Sequence, residues 1–322
     1  MVAALAVLGL SGAAIVVGAL SVGAGWVAPG QWLGEPSLAR DLVWTWRAPR
    51  VAAAFFVGAC LGLAGLLFQA LFRNPLAEPY LLGSASGAAV GAAVALLIPQ
   101  VVPPALSLPV FAFAGAWGAS WLVLVIGSLG GTIHPARLLL AGVALAAILS
   151  AVRGLLLMLF GDEATNLRAV VSWQLGGVQT PTQGELLAFL PMMVALWLAA
   201  RALAPGLDAL GLGEATAQSL GHRVPRLVAA SVLLAALATA LAVTWGGLIG
   251  FVGLIVPHVM RWWIGPLHRR LLPATILAGG ILLVAVDALA RAAMPPTEIP
   301  VGLITALVGG PFFIALLLAR RG

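Results

Sequence analysis

The 322-residue chain is 62% hydrophobic and only 8% charged, against roughly half apolar and a quarter charged in soluble domains, which excludes an ordinary soluble domain. Its formal charge of +6 comes from arginines scattered between apolar runs, a distribution that orients a membrane protein and does not suit nucleic-acid binding. The 39 glycines and 21 prolines fit membrane helices, where small residues permit close packing and neighbours re-satisfy freed backbone groups.

A spanning helix needs about 20 apolar residues, so this length accommodates roughly nine to eleven crossings. The runs lack the alternation of a lipid-facing barrel, and the expected fold class is all-α, a single polytopic transmembrane domain over residues 1–322 with about ten helices. The first run, near residues 3–26, lacks the basic start and short apolar core of a secretory signal and reads as a span. Further spans are expected near 49–71, 80–98, 108–128, 137–160, 186–204, 227–244, 247–264, 271–292 and 301–319. With both termini cytoplasmic, Arg73, Arg137, Arg201, Arg223, Arg226, Arg261, Arg269, Arg270, Arg320 and Arg321 fall inside. Arg40, Arg47, Arg50, Arg168 and Arg291 fall outside, and the inside excess supports this orientation.

Arg47 and Arg50 flank a proline at the outer end of the second span, and Arg291 ends the ninth; such groups invite an acidic partner or anchor to lipid headgroups. Cys60 lies alone in an apolar run and reads as a packed residue. Gly83, Gly87 and Gly91 recur every four residues and predict a close-packing face. Arg153 falls within the fifth span, where it needs an acidic partner, a cavity or water. It would favour an anionic cargo if that helix lines a pathway; snorkelling to the interface is the alternative.

The semi-apolar segment Gly161 to Gly184 predicts a re-entrant or interfacial helix. The longest polar interruption, Pro205 to Pro225, is punctuated by glycines and predicts short cytoplasmic helices, either a docking surface or a generic loop. Asp287 and Arg291 stand four apart, the spacing of an ion pair. His134, His222, His258 and His268 show no metal-ligand spacing. The chain contains no lysine, hence no P-loop, and no nucleophile elbow or zinc-protease motif. A non-enzymatic transport protein without its own cofactor or metal is expected, and any nucleotide hydrolysis must come from another chain. The competing class is an ion-gradient-driven secondary transporter, which would place acids or broken helices at the midplane.

Five stretches, in order, carry a family resemblance: Arg47 to Arg50 (RAPR), Arg73 to Gly83 (RNPLAEPYLLG), Arg137 to Val143 (RLLLAGV), Gly250 to Arg261 (GFVGLIVPHVMR) and Glu298 to Phe313 (EIPVGLITALVGGPFF). Together they resemble the FecCD-type permeases of the iron-siderophore, haem and cobalamin ABC importers, over nearly the whole chain. The resemblance implies a type II ABC importer permease of the cytoplasmic (inner) membrane of a bacterium or archaeon. It also implies a homodimer, or a pair of similar subunits, with a pathway lined largely by the fifth and tenth helices. Two separate ATPase subunits, which bind ATP and Mg, would dock inside and a periplasmic or lipid-tethered binding protein outside.

On this resemblance, Leu212, Gly213, Glu214, Ala215, Thr216, Ala217, Gln218, Ser219, Leu220 and Gly221 form the coupling segment that sits in the ATPase. Arg47, Arg50 and Arg291 match positions that face acidic residues of the binding protein. At the inner turn before the fifth helix, Ile133, His134 and Pro135 replace the small hydroxyl residues of cobalamin-type relatives. Arg153 also departs from the family pattern, which points to an anionic cargo such as a ferric siderophore or haem.

Overall fold

The computed structural model describes residues 2–23, 25–98, 104–129, 135–160 and 164–319, and within that set all regular structure is helical. The chain begins with α1 (Val2–Ser21), α2 (Pro29–Trp32) and α3 (Leu38–Asp41). A π-helical stretch, Leu42–Arg47, runs on into α4 (Ala48–Leu71). A 3-10 turn at Pro79–Leu82 precedes α5 (Ser84–Leu97), followed by α6 (Pro104–Ser128), α7 (Pro135–Phe160) and α8 (Ala164–Gln174). Then come α9 (Gln183–Gly211), α10 (Glu214–Ser219), α11 (Val224–Gly246), α12 (Val252–Ile264), α13 (His268–Ala292) and α14 (Val301–Ala319).

Six helices are long and apolar enough to cross a membrane, and four shorter apolar helices, Leu5–Ser21, Ser84–Leu97, Val252–Ile264 and Val301–Leu316, accompany them. Each expected span overlaps one of these ten.

The helices organise around α4, whose most apolar window is 89% buried, whereas that of α7 is 6% buried. Small residues explain the central place of α4. A Cβ at Gly58 would collide with Gly279 O of α13, and one at Gly65 with Gly253 O of α12. Three helix backbones thus approach where side chains are missing, the packing that lipid-embedded helices rely on without a hydrophobic drive. α11 and α9 pack on the remaining faces of α4, and α5 packs on α6 and α7.

Two expectations need correction. Gly87 and Gly91 do face α6, at Gly115 and Phe111, but Gly83 is outside that helix. Its φ of +73° ends the 3-10 turn and opens α5 against Gly142 of α7, a left-handed conformation that suits glycine. The polar interruption starts later than Pro205, because α9 continues to Gly211. A proline removes one backbone donor, yet Ala204, Gly206, Leu207, Ala209 and Leu210 are all buried, and this packing carries the helix on.

The short helix α8 lies where an interfacial or re-entrant element was expected and packs on α5. The chain after it is tethered to the end of α11 by Gly177 N to Gly246 O (2.9 Å) and Gln179 N to Trp245 O (2.8 Å).

Candidate functional site

Arg47, Arg50 and Arg291 come together at one end of the bundle, beside a cleft of about 420 Å³ that also takes in Trp26, Thr180 and Glu298. Two of them complete the end of α1. Arg47 donates from Nη1 to Leu20 O (3.0 Å) and Ser21 O (2.7 Å), and from Nη2 to Gly25 O (2.8 Å). Arg291 donates from Nη1 to Val22 O (2.9 Å) and from Nη2 to Ala19 O (3.0 Å). The last carbonyls of a helix have no intrahelical donors, and cations there also meet the negative end of the dipole.

Asp287, fully buried on α13, joins this cluster. Its Oδ2 accepts from Arg291 Nε at 2.9 Å, the ion pair predicted by the four-residue spacing. Its Oδ1 accepts from Arg50 Nε at 3.0 Å. The outer edge of Arg50 is held by Glu298, whose two carboxylate oxygens accept from Nη1 (3.1 Å) and Nη2 (2.7 Å) in the bidentate form that suits guanidinium. Arg47 and Arg291 are buried, while the Glu298 side chain is 49% exposed. Of the three arginines, Arg50 alone keeps an edge toward the surface, and there it is paired with Glu298.

At the opposite end stands the short helix α10. Gly213 (φ +123°) and Gly221 (φ +86°) set it off from its neighbours, with backbone angles that side chains rarely adopt. Ala217 is its buried anchor. The rest of the segment is partly or fully open to its surroundings, with Leu212 and Leu220 strongly exposed. Glu214 lies 3.8 Å from Arg73, just beyond α4.

A cleft of about 850 Å³, bordered by Leu212 and Leu220 on either side of α10, lies among the ends of α4, α9, α12 and α13. Two polar clamps line it. Asp208 Oδ1 lies 2.6 Å from His268 Nδ1 and accepts from His268 N at 3.0 Å, tying the end of α9 to the start of α13. Gln69 Oε1 accepts from both terminal nitrogens of Arg261 at 3.1 Å, while its Nε2 donates to Leu254 O at 3.1 Å.

α7 and α14 present long apolar faces to the outside of the chain, among them Leu140, Val143 and Leu155 on α7 and Leu307 and Val308 on α14. Arg153 is half-buried and donates from Nη1 to Gln174 Oε1 of α8 at 3.0 Å. Its partner is a neutral amide. Ile133 and His134 lie outside the described residues, and Pro135 is the first residue of α7.

Glu78 was missed in the sequence. Its Oε1 accepts from Phe251 N at 2.8 Å, and burial pushes its carboxyl above the usual carboxylate range, against the opposing pull of that hydrogen bond. Next to it, Tyr80 Oη donates to Ile249 O and accepts from Ile249 N, both at 3.1 Å. These contacts brace the break between α11 and α12, where Phe251 holds a φ of +68°. Two of the motifs noted in the sequence, RNPLAEPYLLG and GFVGLIVPHVMR, are thus the two sides of one joint.

Residues 8–319 match the FecCD transport family. The chain is 40% identical over 288 residues to the cobalamin import system permease protein BtuC of Halobacterium salinarum, covering 89% of this chain and 76% of that protein. It is 38% identical over 278 residues to the hemin transport system permease protein HmuU of Yersinia pestis, covering 85% and 82% of the two. A solved structure described as an inward-facing conformation of a metal-chelate type ABC transporter superposes with a TM-score of 0.83 at 30% identity, over 98% of each chain. With two of its motifs placed in one helical joint of an apolar bundle, the chain belongs to the FecCD transport family and is a multi-pass membrane permease.

Proposed function

We propose that this chain is the permease subunit of an ATP-driven importer that receives a bulky metal chelate, such as a ferric siderophore or haem, or a cobalamin, from a separate binding protein. The observation that carries the coupling half of this reading is α10, a short helix with exposed Leu212 and Leu220 at its ends and Glu214 facing Arg73. A pair of ATPase subunits that holds α10 in a cleft would push, on closing, against the end of α4, the central helix. That couples one two-state motion to another.

The other end serves the binding protein. Arg50, fixed by Asp287 but edged by an exposed Glu298, is the group that meets its acidic residues. Two copies of the chain pair through the apolar faces of α7 and α14, and the cargo passes between them. Arg153, whose Nε is buried without a hydrogen-bond partner among the described residues, adds positive charge beside that path and favours an anionic cargo. The assembly sits in the cytoplasmic membrane with α10 and both termini inside.

The test is ATP hydrolysis by the chain reconstituted in lipid with its ATPase, with and without binding protein carrying haem, ferric siderophores or cobalamin. Stimulation by one loaded form is the expected result and names the cargo. No complex with a folded ATPase, and no stimulated hydrolysis, would overturn the reading.

A further inference from the structure

Arg201, Arg269 and Arg270 converge on a third cleft, of about 380 Å³, between the end of α9 and the first turn of α13, with Asp208 and Leu267 completing its wall. All three arginines are exposed. Among the described residues none of them has an acidic side chain within ion-pair distance. Asp208 is held through Oδ1 by His268, so the cleft keeps an excess of positive charge.

The cleft stands at the foot of an apolar stripe. Leu187, Leu190, Val194 and Leu198 of α9 are exposed, and their spacing of three or four residues places them on one helical face that continues to Arg201. In a membrane permease such a face meets acyl chains, and the point where leucine gives way to arginine is the headgroup level. The Arg201 guanidinium lies 5.6 Å from the Trp197 ring centroid, and Trp262 and Trp263, in the last turn of α12, are also exposed. Tryptophan gathers at this level because its ring is apolar and its N–H polar.

We propose that this cleft binds the headgroup of an anionic phospholipid: the three guanidinium groups hold the phosphate, and the acyl chains lie along the stripe of α9. Basic clefts between helices at a membrane surface favour such headgroups electrostatically. The free oxygen of Asp208 suits a headgroup bearing hydroxyls, such as phosphatidylglycerol, by accepting from them. The site shares Asp208 and Leu267 with the larger cleft beneath α10, so the bound lipid braces the wall between them.

The experiment is native mass spectrometry of the purified chain in neutral detergent, titrated with phosphatidylglycerol, phosphatidylcholine or inorganic phosphate. The expected result is one tight phosphatidylglycerol that phosphatidylcholine does not replace. It should bind about tenfold or more weakly to the Arg201→Ala, Arg269→Ala, Arg270→Ala triple variant, given the contribution of each basic residue near a lipid surface. Arg201→Gln alone, on an exposed face, should weaken it about fivefold and serves if the triple variant is not monodisperse. Unchanged phosphatidylglycerol binding in a folded variant would overturn the proposal. So would inorganic phosphate displacing the lipid at equal concentration, which marks a free-anion site, or a variant that loses only its ATPase partner, which marks a protein interface.

Discussion

Arg50 of α4 and Asp287 of α13 meet at 3.0 Å across 237 residues of chain, and the same carboxylate holds Arg291. One buried acid thus fixes two cations and, through Arg291, the carbonyls that end α1. Removing it leaves both cations without their shared counter-charge. Asp287→Ala should cost about 3–5 kcal/mol, the range for breaking a buried pair from one side. Asp287→Asn should cost less, since its amide oxygen still accepts. Thermal unfolding in detergent reads the difference, and a parent-like midpoint for the alanine variant would refute the structural role.

Glu298 covers the outer edge of Arg50, so it competes with any acidic residue of a docking protein. Glu298→Ala should therefore tighten binding of that protein, by about twofold to fivefold for a largely exposed pair. Arg50→Glu should abolish stimulation of ATP hydrolysis. Added salt should weaken the parent interaction, because charges of this kind mainly steer the encounter. Binding curves that do not move in either variant would remove Arg50 from the docking surface.

Leu212 and Leu220 are exposed on both sides of α10. Changing either to Asp should leave unfolding of the permease within about 0.5 kcal/mol, as for surface sites generally. If α10 sits in an ATPase cleft, the same change should weaken capture of the ATPase about tenfold, in line with a central apolar contact of an interface. Normal capture alongside normal folding would place the ATPase elsewhere.

Glu78 titrates from a raised pKa, caused by burial, against an ordinary value of 4.5. For a group raised on folding, its stability contribution is complete below the ordinary value and is lost as pH rises through the folded one. Glu78→Gln keeps an acceptor for Phe251 N and cannot ionise, so it should remove that loss and hold or raise the unfolding temperature above the carboxylate range. Glu78→Ala should lower the stability by about 1–3 kcal/mol, the cost of an orphaned buried donor. A steeper pH dependence in Glu78→Gln than in the parent would contradict this.

Much of the fold is legible in the sequence because the bilayer imposes a long apolar run on every crossing, and all ten expected spans overlap apolar helices. The Asp287–Arg291 pair is legible because it is local, set by the rise of a single helix. The glycines flanking Glu214–Ser219 likewise mark α10 by their own backbone freedom. Where local punctuation and packing disagree, packing prevails: α9 passes through Pro205 because its buried face continues.

By itself the sequence determined the class of molecule, the order of its helices and the separation of its charges, since these depend on runs and spacings within a few turns. Only the tertiary structure decided what those charges do. Arg47, one of the outer cations by position alone, completes the end of α1, while Arg50 keeps an edge at the surface. Arg153 found Gln174, Glu78 found Phe251, and Gln69 found Arg261. Glu78 and Phe251 stand 173 residues apart in the chain, and Gln69 and Arg261 stand 192 apart, and no periodicity along one stretch of sequence encodes which backbone will arrive opposite.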